Sequence, residues 1–555
     1  MSTSPMHISL AQRLECSASA RYDELLTRSS VDMNKKLTIP VIDLFAGPGG
    51  LAEGFSTAGD RDLEFEVLLS VEKDPAAHRT LTLRSFYREL ARTGVPPEYY
   101  GYLRGEISWR ELFTRFPVAC QKATSACLCK ELGSDDDSEI HAAIEARLRG
   151  RRDNWVLIGG PPCQAYSIVG RSRMSRRPRE KFEADARHYL YRQYLTILAK
   201  FGPPAFVMEN VKGLLSSRIN GDSMFRRILK DLSAPGEALP GVVSAVGHRG
   251  PRHYRVVPID FSGGSPDEFD ARDFVMRAED HGVPQKRHRV ILLGVRRDLE
   301  VDGLFELESE QDAPAVLEMI DDLPRLRSQL SREPDSPESW HAALQQAWQV
   351  DFAKLPDHRV RSLVRDAIAV ARGITDVGGR YTKGSGRVRM RQELRDWFLD
   401  ENLKGACNHE SRPHRRDDLS RYLFVSAFGL AHGRTPKLAD FPEHLLPDHR
   451  NARKARESHE LFDDRFRVQV GHEPATTVTS HVAKDGHYYI HHDPSQCRSW
   501  TVREAARIQT FPDNYFFEGT RTQQYVQVGN AVPPLLARAI ARKVARLVRK
   551  WVTDR

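Results

Sequence analysis

Cysteine is scarce in this chain. Seven occur among 555 residues (Cys16, Cys120, Cys127, Cys129, Cys163, Cys407 and Cys497), scattered and odd in number. That excludes a disulfide-built scaffold and points to a reducing compartment. Cys127 and Cys129 stand near Cys120, but no second Cys or His pair lies at ligand spacing nearby, so no metal site is expected. Long apolar runs are missing as well: no stretch approaches the roughly 20 apolar residues of a spanning helix. Residues 1–35 also lack the cationic start and apolar run of a secretory leader. A soluble, intracellular protein is therefore expected, with no membrane partner. Acidic residues do not dominate either. The 83 Lys and Arg against 75 Asp and Glu leave a net charge of +8, a balance that suits a phosphate-rich partner without identifying it.

What is present is enough apolar material to fold, 40% of residues, in a chain too long for one ordinary core. The first 36 residues are polar, with one helix expected around 20–27, and read as an extension of no assignable purpose. The pattern then changes. Residues 37–45 read as a strand that runs into Ala46-Gly47-Pro48-Gly49-Gly50-Leu51-Ala52. Gly47, Gly49 and Ala52 satisfy the G-x-G-x-x-G/A spacing of a nucleotide-binding turn, where small residues let the backbone approach a ligand. A second strand, 65–71, ends at Glu72, placed as such folds place an acid for ribose hydroxyls.

Trp155-Val156-Leu157-Ile158 reads as a short buried strand ending at Gly159. Gly160-Pro161-Pro162 forbids helix, so Cys163 sits in a rigid turn at the strand's carboxyl end. In an open parallel sheet that is the edge where chemistry gathers. A lone intracellular cysteine more often packs than reacts; the double Gly and double Pro favour a nucleophile here. Glu209 follows the strand 205–208, and an unpaired acid so close to an apolar strand would be costly without a purpose. Arg287 and Arg289 alternate onto one face of an extended segment. The basic run 170–179 reads as a mobile loop, followed by a helix over 187–200.

Taken together, Asp43-Leu44-Phe45-Ala46-Gly47, Pro161-Pro162-Cys163-Gln164, Glu209-Asn210-Val211, Gln285-Lys286-Arg287-His288-Arg289 and Gln527-Val528-Gly529-Asn530 stand in the motif order of the DNA (cytosine-5) methyltransferases. The chain resembles that family from Val41 to Pro534. The resemblance implies an α/β architecture: a Rossmann-like S-adenosylmethionine-dependent domain, a smaller mixed target recognition domain, and a DNA cleft between them. It implies S-adenosyl-L-methionine as cofactor and no metal. Phe45 would stack on the adenine, Glu72 would hold the ribose, and Asp43, Ala46, Gly47, Gly49, Gly50, Leu51, Lys73, Pro161, Asn530 and Ala531 would complete the pocket. Gly105-Glu106-Ile107 resembles the family's third cofactor motif, so Glu106 and Ile107 would meet the adenine. Cys163 would be the nucleophile, Glu209 would bond the target cytosine, and Arg287 and Arg289 would orient the catalytic loop and touch its O2.

Residues 298–518 correspond to the recognition domain and 519–555 to a segment returning to the catalytic domain, 37–297, within which 108–153 reads as a surface insertion. Gln164, Ser167, Arg171, Arg173, Arg380 and Arg387 are expected to meet double-stranded DNA. A hairpin is expected from 476–482 and 488–491 across Asp485-Gly486, then a helix capped by Thr501 with Glu504 as its capping-box partner. A closing helix would bury Leu536, Ile540, Val544, Leu547 and Trp551. The expected protein is a prokaryotic, cytoplasmic, nucleoid-associated monomer, with or without a partner restriction endonuclease. A dehydrogenase would not explain Cys163 with Glu209. A tRNA cytosine-5 methyltransferase would lack so long a variable region, and a non-catalytic regulator would not keep both residues.

Overall fold

The computed structural model describes residues 36–553 except 134–136, 150–152, 163–189, 220–221, 243–251, 261–268, 300–311, 385, 387, 447–465 and 485. The helix expected at 20–27, the loop 170–179, and Cys163, Gln164, Ser167, Arg171, Arg173 and Arg387 lie outside the described residues.

The central sheet is built from β1 (Leu37–Leu44), β2 (Leu63–Glu72), β3 (Cys127–Cys129), β4 (Val156–Gly159), β5 (Ala205–Val211), β6 (Tyr254–Val257), β7 (Val275–Arg277) and β9 (His288–Arg296), with a two-residue strand β8 (Gln285–Lys286) just before β9. Their order is β3-β2-β1-β4-β5-β9-β6, with β7 also on β9. The first five strands are parallel, whereas β9 runs antiparallel to β5, β6 and β7, so the sheet is mixed rather than wholly parallel. Apolar residues on both faces make β1 a central strand. Ile39 and Val41 face one core with Phe55, Val207 and Leu293. Ile42 and Leu44 face the other with Leu157, Tyr194 and Leu198.

Helix α1 (Gly50–Ser56) follows β1, and α2 (Pro75–Ala91) follows β2, its N-terminus capped by the Asp74 side chain on the Ala76 and Ala77 N–H groups. Then come α3 (Pro97–Arg104), α4 (Ser138–Arg147) and α5 (Tyr191–Phe201). The stretch 108–153 is not a surface insertion. It supplies β3, the edge strand, and its Leu132, Ile140, Ile144 and Leu148 are buried in the same core as Leu69 and Leu157. Three residues of strand are too few to show a period, which hid β3 in the sequence.

The C-terminal half holds α6 (Pro337–Ala347), α7 (His358–Ala371) and α8 (Arg416–His432), packed around Trp340, Val364, Leu423 and Phe424. Between α7 and α8 the chain forms the antiparallel strands β10 (Gly378–Lys383) and β11 (Gly405–Glu410), which pack against α3 and the helix Val502–Ile508 respectively. The hairpin expected over 476–491 is absent among the described residues. Instead β12 (Ala475–Thr476) pairs in parallel with β8, and 3-10 turns follow at Ser480–Ala483 and Gly486–Tyr488. Side chains took the backbone bonds that a hairpin would have used: Gln285 Oε1 accepts from Val478 N–H, and Tyr489 Oη accepts from Thr479 N–H.

Thr501 caps α9 (Val502–Ile508), and Glu504 closes the capping box as its spacing predicts. Helices α10 (Arg521–Asn530) and α11 (Pro534–Thr553) complete the chain. The five apolar residues expected on α11 are all buried against the sheet. One core cluster joins Trp500, Tyr515 and Phe517 to Tyr525 and Val528, so packing runs unbroken across position 518. No helix among the described residues is long and apolar enough to cross a membrane.

Candidate active site

The turn after β1 is strained and held from outside. Phe45 has φ 55°, a left-handed conformation that a side chain disfavours, and Gly47 and Gly49 have φ 58° and 101°. Glu72, at the end of the neighbouring strand, fixes the turn. Its Oε2 accepts the Gly47 N–H at 2.8 Å and its Oε1 the Asp74 N–H at 2.8 Å. Each oxygen keeps a lone pair for a ligand. Gly50 is required by close approach: a Cβ there would stand 2.1 Å from the Val532 carbonyl oxygen. The segment after α10 is thereby pressed against the turn.

Behind the turn, Asp43 is fully buried, and neither of its carboxyl oxygens has a hydrogen-bond partner. Burial pushes its pKa well up, outweighing the Arg88 charge. Asp43 and Gly49 support the cleft from beneath and do not line it.

Above the carboxyl ends of the strands opens a cavity of about 960 Å³. It brings together Phe45, Ala46, Gly47, Gly50, Leu51, Glu72 and Lys73 with Pro161, Asn530 and Ala531, and at its other end Glu209, Arg287 and Arg289. Glu106 is not among them. It is exposed beyond α3, bonded to Arg104 Nε at 2.6 Å, and Ile107 packs with the aromatic cluster around Tyr102. At this edge of the sheet β3 is instead followed by Lys130 and Glu131. Both line the cavity, and Glu131 Oε1 pairs with Lys73 Nζ at 2.7 Å. An acid just past a three-residue strand carries too little pattern to be found by motif.

Arg380 lies outside the cavity, on the exposed face of β10. Its guanidinium donates to the Tyr102 carbonyl at 3.1 Å and lies over the rings of Tyr102 and Phe516, 4.8 and 4.2 Å from their centroids. It ties β10 to α3 while the residue stays exposed. The cavity further gathers Thr479, Ser480, His481 and Lys484 from the 3-10 turn after β12, and Thr522 and Gln523 from α10, none of which carries a sequence signal of its own.

At the cavity's other end, β5 and β9 lie antiparallel with Glu209 opposite Ile291 and Arg289 opposite Val211. Arg289 Nε stands 2.9 Å from Glu209 Oε1, yet this N–H makes no aligned hydrogen bond, so the attraction is chiefly Coulombic. Arg287 is 1% exposed and donates to the carbonyls of Val478, Gly529 and Ala531, clamping the turn after β12 and the end of α10. Burial, then the charge of Arg289, pulls its pKa well down. Gly160 lets the turn after β4 come close, since a Cβ there would meet Glu209 Oε2 at 2.9 Å.

Strand order and the cleft above the glycine turn put the chain in the Rossmann-like α/β class. Residues 130–236 and 269–546 match the model of the C-5 cytosine-specific DNA methylases, and the chain belongs to that family, the DNA (cytosine-5-)-methyltransferases. Type II methyltransferase M.Bpa9945I of Bacillus paralicheniformis is 32% identical over 527 residues, covering 92% of this chain and 99% of the relative. Type II methyltransferase M.AgeI of Thalassovita gelatinovora is 27% identical, covering 91% and 98%. A solved E. coli prophage protein assigned as a DNA modification methyltransferase superposes with a TM-score of 0.51 at 17% identity, covering 92% of this chain and 99% of its own, a likeness of fold.

Proposed function

We propose that the enzyme transfers a methyl group from S-adenosyl-L-methionine to C5 of a cytosine flipped out of a specific duplex sequence, through a covalent bond between Cys163 and C6. The observation that carries this reading is the single cavity joining the glycine turn and Glu72 to the Glu209–Arg289 pair. The residues fit the cofactor. The Gly47 backbone leaves room for it, Glu72 has lone pairs for ribose hydroxyls, the Phe45 ring offers a stacking face, and Glu131 on the cavity wall offers an acceptor for an adenine amino group. Bound there, S-adenosylmethionine supplies an electrophilic methyl group.

C5 of cytosine is a poor nucleophile while the ring stays conjugated, so a covalent step must come first. The Cys163 thiolate adds to C6, and Glu209 hydrogen-bonds N3 to stabilise the charge that develops. C5 then takes the methyl group, and loss of its proton expels Cys163 and restores the ring. A free thiol titrates near 8.5, so the thiolate needs support, which the Arg287 and Arg289 charges can supply. The buried Nε–H groups of these arginines lack aligned acceptors. A base carbonyl at O2 would satisfy them. None of these atoms is reachable inside a stacked duplex, hence the flip. One flipped base needs one site, so the enzyme acts as a monomer, and it protects host DNA from a partner endonuclease.

Covalent trapping tests this reading. Wild type and Cys163→Ala are incubated with S-adenosylmethionine and duplexes carrying 5-fluorocytosine, whose fluorine blocks the final elimination. A denaturant-resistant adduct that requires both Cys163 and cofactor is expected, and sequencing the trapped duplexes gives the target. An adduct on RNA alone would transfer the reaction to RNA, and none on either would remove the covalent mechanism.

A further inference from the structure

Tyr515 lies between α9 and α10 and lines no part of the cavity, yet it touches the glycine turn directly. Its buried hydroxyl donates to the Pro48 carbonyl at 2.5 Å, and a Cβ on Gly49 would come within 2.9 Å of the same oxygen. The ring is held by Arg84, whose guanidinium carbon is 4.8 Å from its centroid. Arg84 in turn bonds Glu53 of α1 and, at 2.9 Å, Asn514 Oδ1. Asn514 Nδ2 reaches Asp400 at 2.8 Å, in the half of the chain that corresponds to target recognition. An unbroken chain of contacts therefore links Asp400 to the apex of the turn.

The turn needs such a support. Phe45 occupies the left-handed region, a strained conformation that persists only where neighbours hold it. Glu72 holds one side through the Gly47 N–H, and the Pro48 carbonyl is the group on the other. Burial pushes the Tyr515 pKa up, so the hydroxyl stays a neutral donor.

We propose that Tyr515 is a positioning residue for the cofactor turn: its hydroxyl fixes Pro48 so that Phe45 and Gly47 keep the shape that receives S-adenosylmethionine, and its carrier segment ties that shape to the recognition half. The proposal rests on the cofactor assignment above. Loosening a binding-competent conformation lowers apparent affinity by the fraction of time it is lost, without altering chemistry once the site is filled.

Tyr515→Phe removes only the hydroxyl. Tyr254→Phe is the control: it deletes an equally buried hydroxyl bonded to a carbonyl, that of Pro203 at 3.0 Å, on the far edge of the sheet. Titration with S-adenosylhomocysteine should show Kd raised about five- to tenfold in Tyr515→Phe and unchanged in Tyr254→Phe. In Tyr515→Phe kcat at saturating cofactor and duplex affinity should hold within about twofold. Amide hydrogen exchange over 46–51, measured without ligand, should quicken in Tyr515→Phe alone. An unchanged Kd, or an equal rise in both variants, overturns the proposal. A wild type that binds no S-adenosylhomocysteine overturns the cofactor assignment instead, while the exchange measurement still decides whether Tyr515 holds the turn.

Discussion

Two acids separate what a motif finds from what a sheet requires. Glu106 fits a short string of letters, and it is solvated and paired with Arg104. Glu131 fits no string, and it stands at the mouth of the cavity against Lys73. Glu131→Gln is expected to raise the KM for S-adenosylmethionine about fivefold or more by weakening the acceptor, and Glu106→Gln to leave it alone. Steady-state kinetics of the two variants side by side would check this; equal effects, or the reverse order, would return the adenine edge to Glu106. Arg289 is a second test at this scale. Arg289→Met removes the charge facing Glu209 while keeping bulk, and the single-turnover rate is expected to fall by about 10²–10³. Glu209, Arg287 and Arg289 were legible in the sequence because each stands beside a strand long enough to declare itself. The clamp of Arg287 on Val478, Gly529 and Ala531 was not, because its acceptors are backbone carbonyls some 190 residues or more away, without side-chain identity.

Elements were readable where local chemistry decided them. The capping box at Thr501 and Glu504 is one such case, written in two residues three apart and found as written. Its sequence did not reveal that Glu504 is also buried and takes two bonds from Arg498, at 2.7 and 2.6 Å, with His491 3.5 Å away. Burial alone would raise the Glu504 pKa, but the Arg498 charge wins and holds it well below the usual carboxylate range. Glu504→Gln keeps a cap acceptor and strands the Arg498 charge, so a loss of about 3–5 kcal/mol is expected in denaturant unfolding. Glu111→Gln makes the same change in a like box with Ser108 on the surface and should leave the unfolding midpoint nearly where it was. If the two variants behave alike, the stranded charge is not the cause. Strand β3 and the turns after β12 escaped for the opposite reason: partners distant in sequence, not local period, set them.

Across the whole molecule, buried ionisable groups fix how stability follows pH. Burial holds His409 down at about 4 and His492 at about 3, and pushes His414 well down too. In the unfolded chain each would titrate near 6.5. Below that value the unfolded state binds protons that the folded state refuses, so stability falls as pH drops from 6.5 toward 4, by about 2–3 kcal/mol for His409 at pH 4.5. Buried carboxylates act in a lower window. Glu53, though burial alone would raise it, is held at about 2 by Arg84 and Arg88, and its contribution is complete above its unfolded value near 4.5 and lost as pH falls toward 2. The histidine window therefore opens first, and between pH 6.5 and 4.5 the histidines should govern the slope. His409→Gln, which keeps hydrogen-bonding groups toward Thr501 and Pro324, should lower stability at pH 7.5 yet flatten the fall from pH 6.5 to 4.5. Denaturant unfolding of both proteins across that range checks it: curves that fall in parallel would place the acid sensitivity elsewhere, whereas a shallower variant would locate it in the buried contact between α9 and β11.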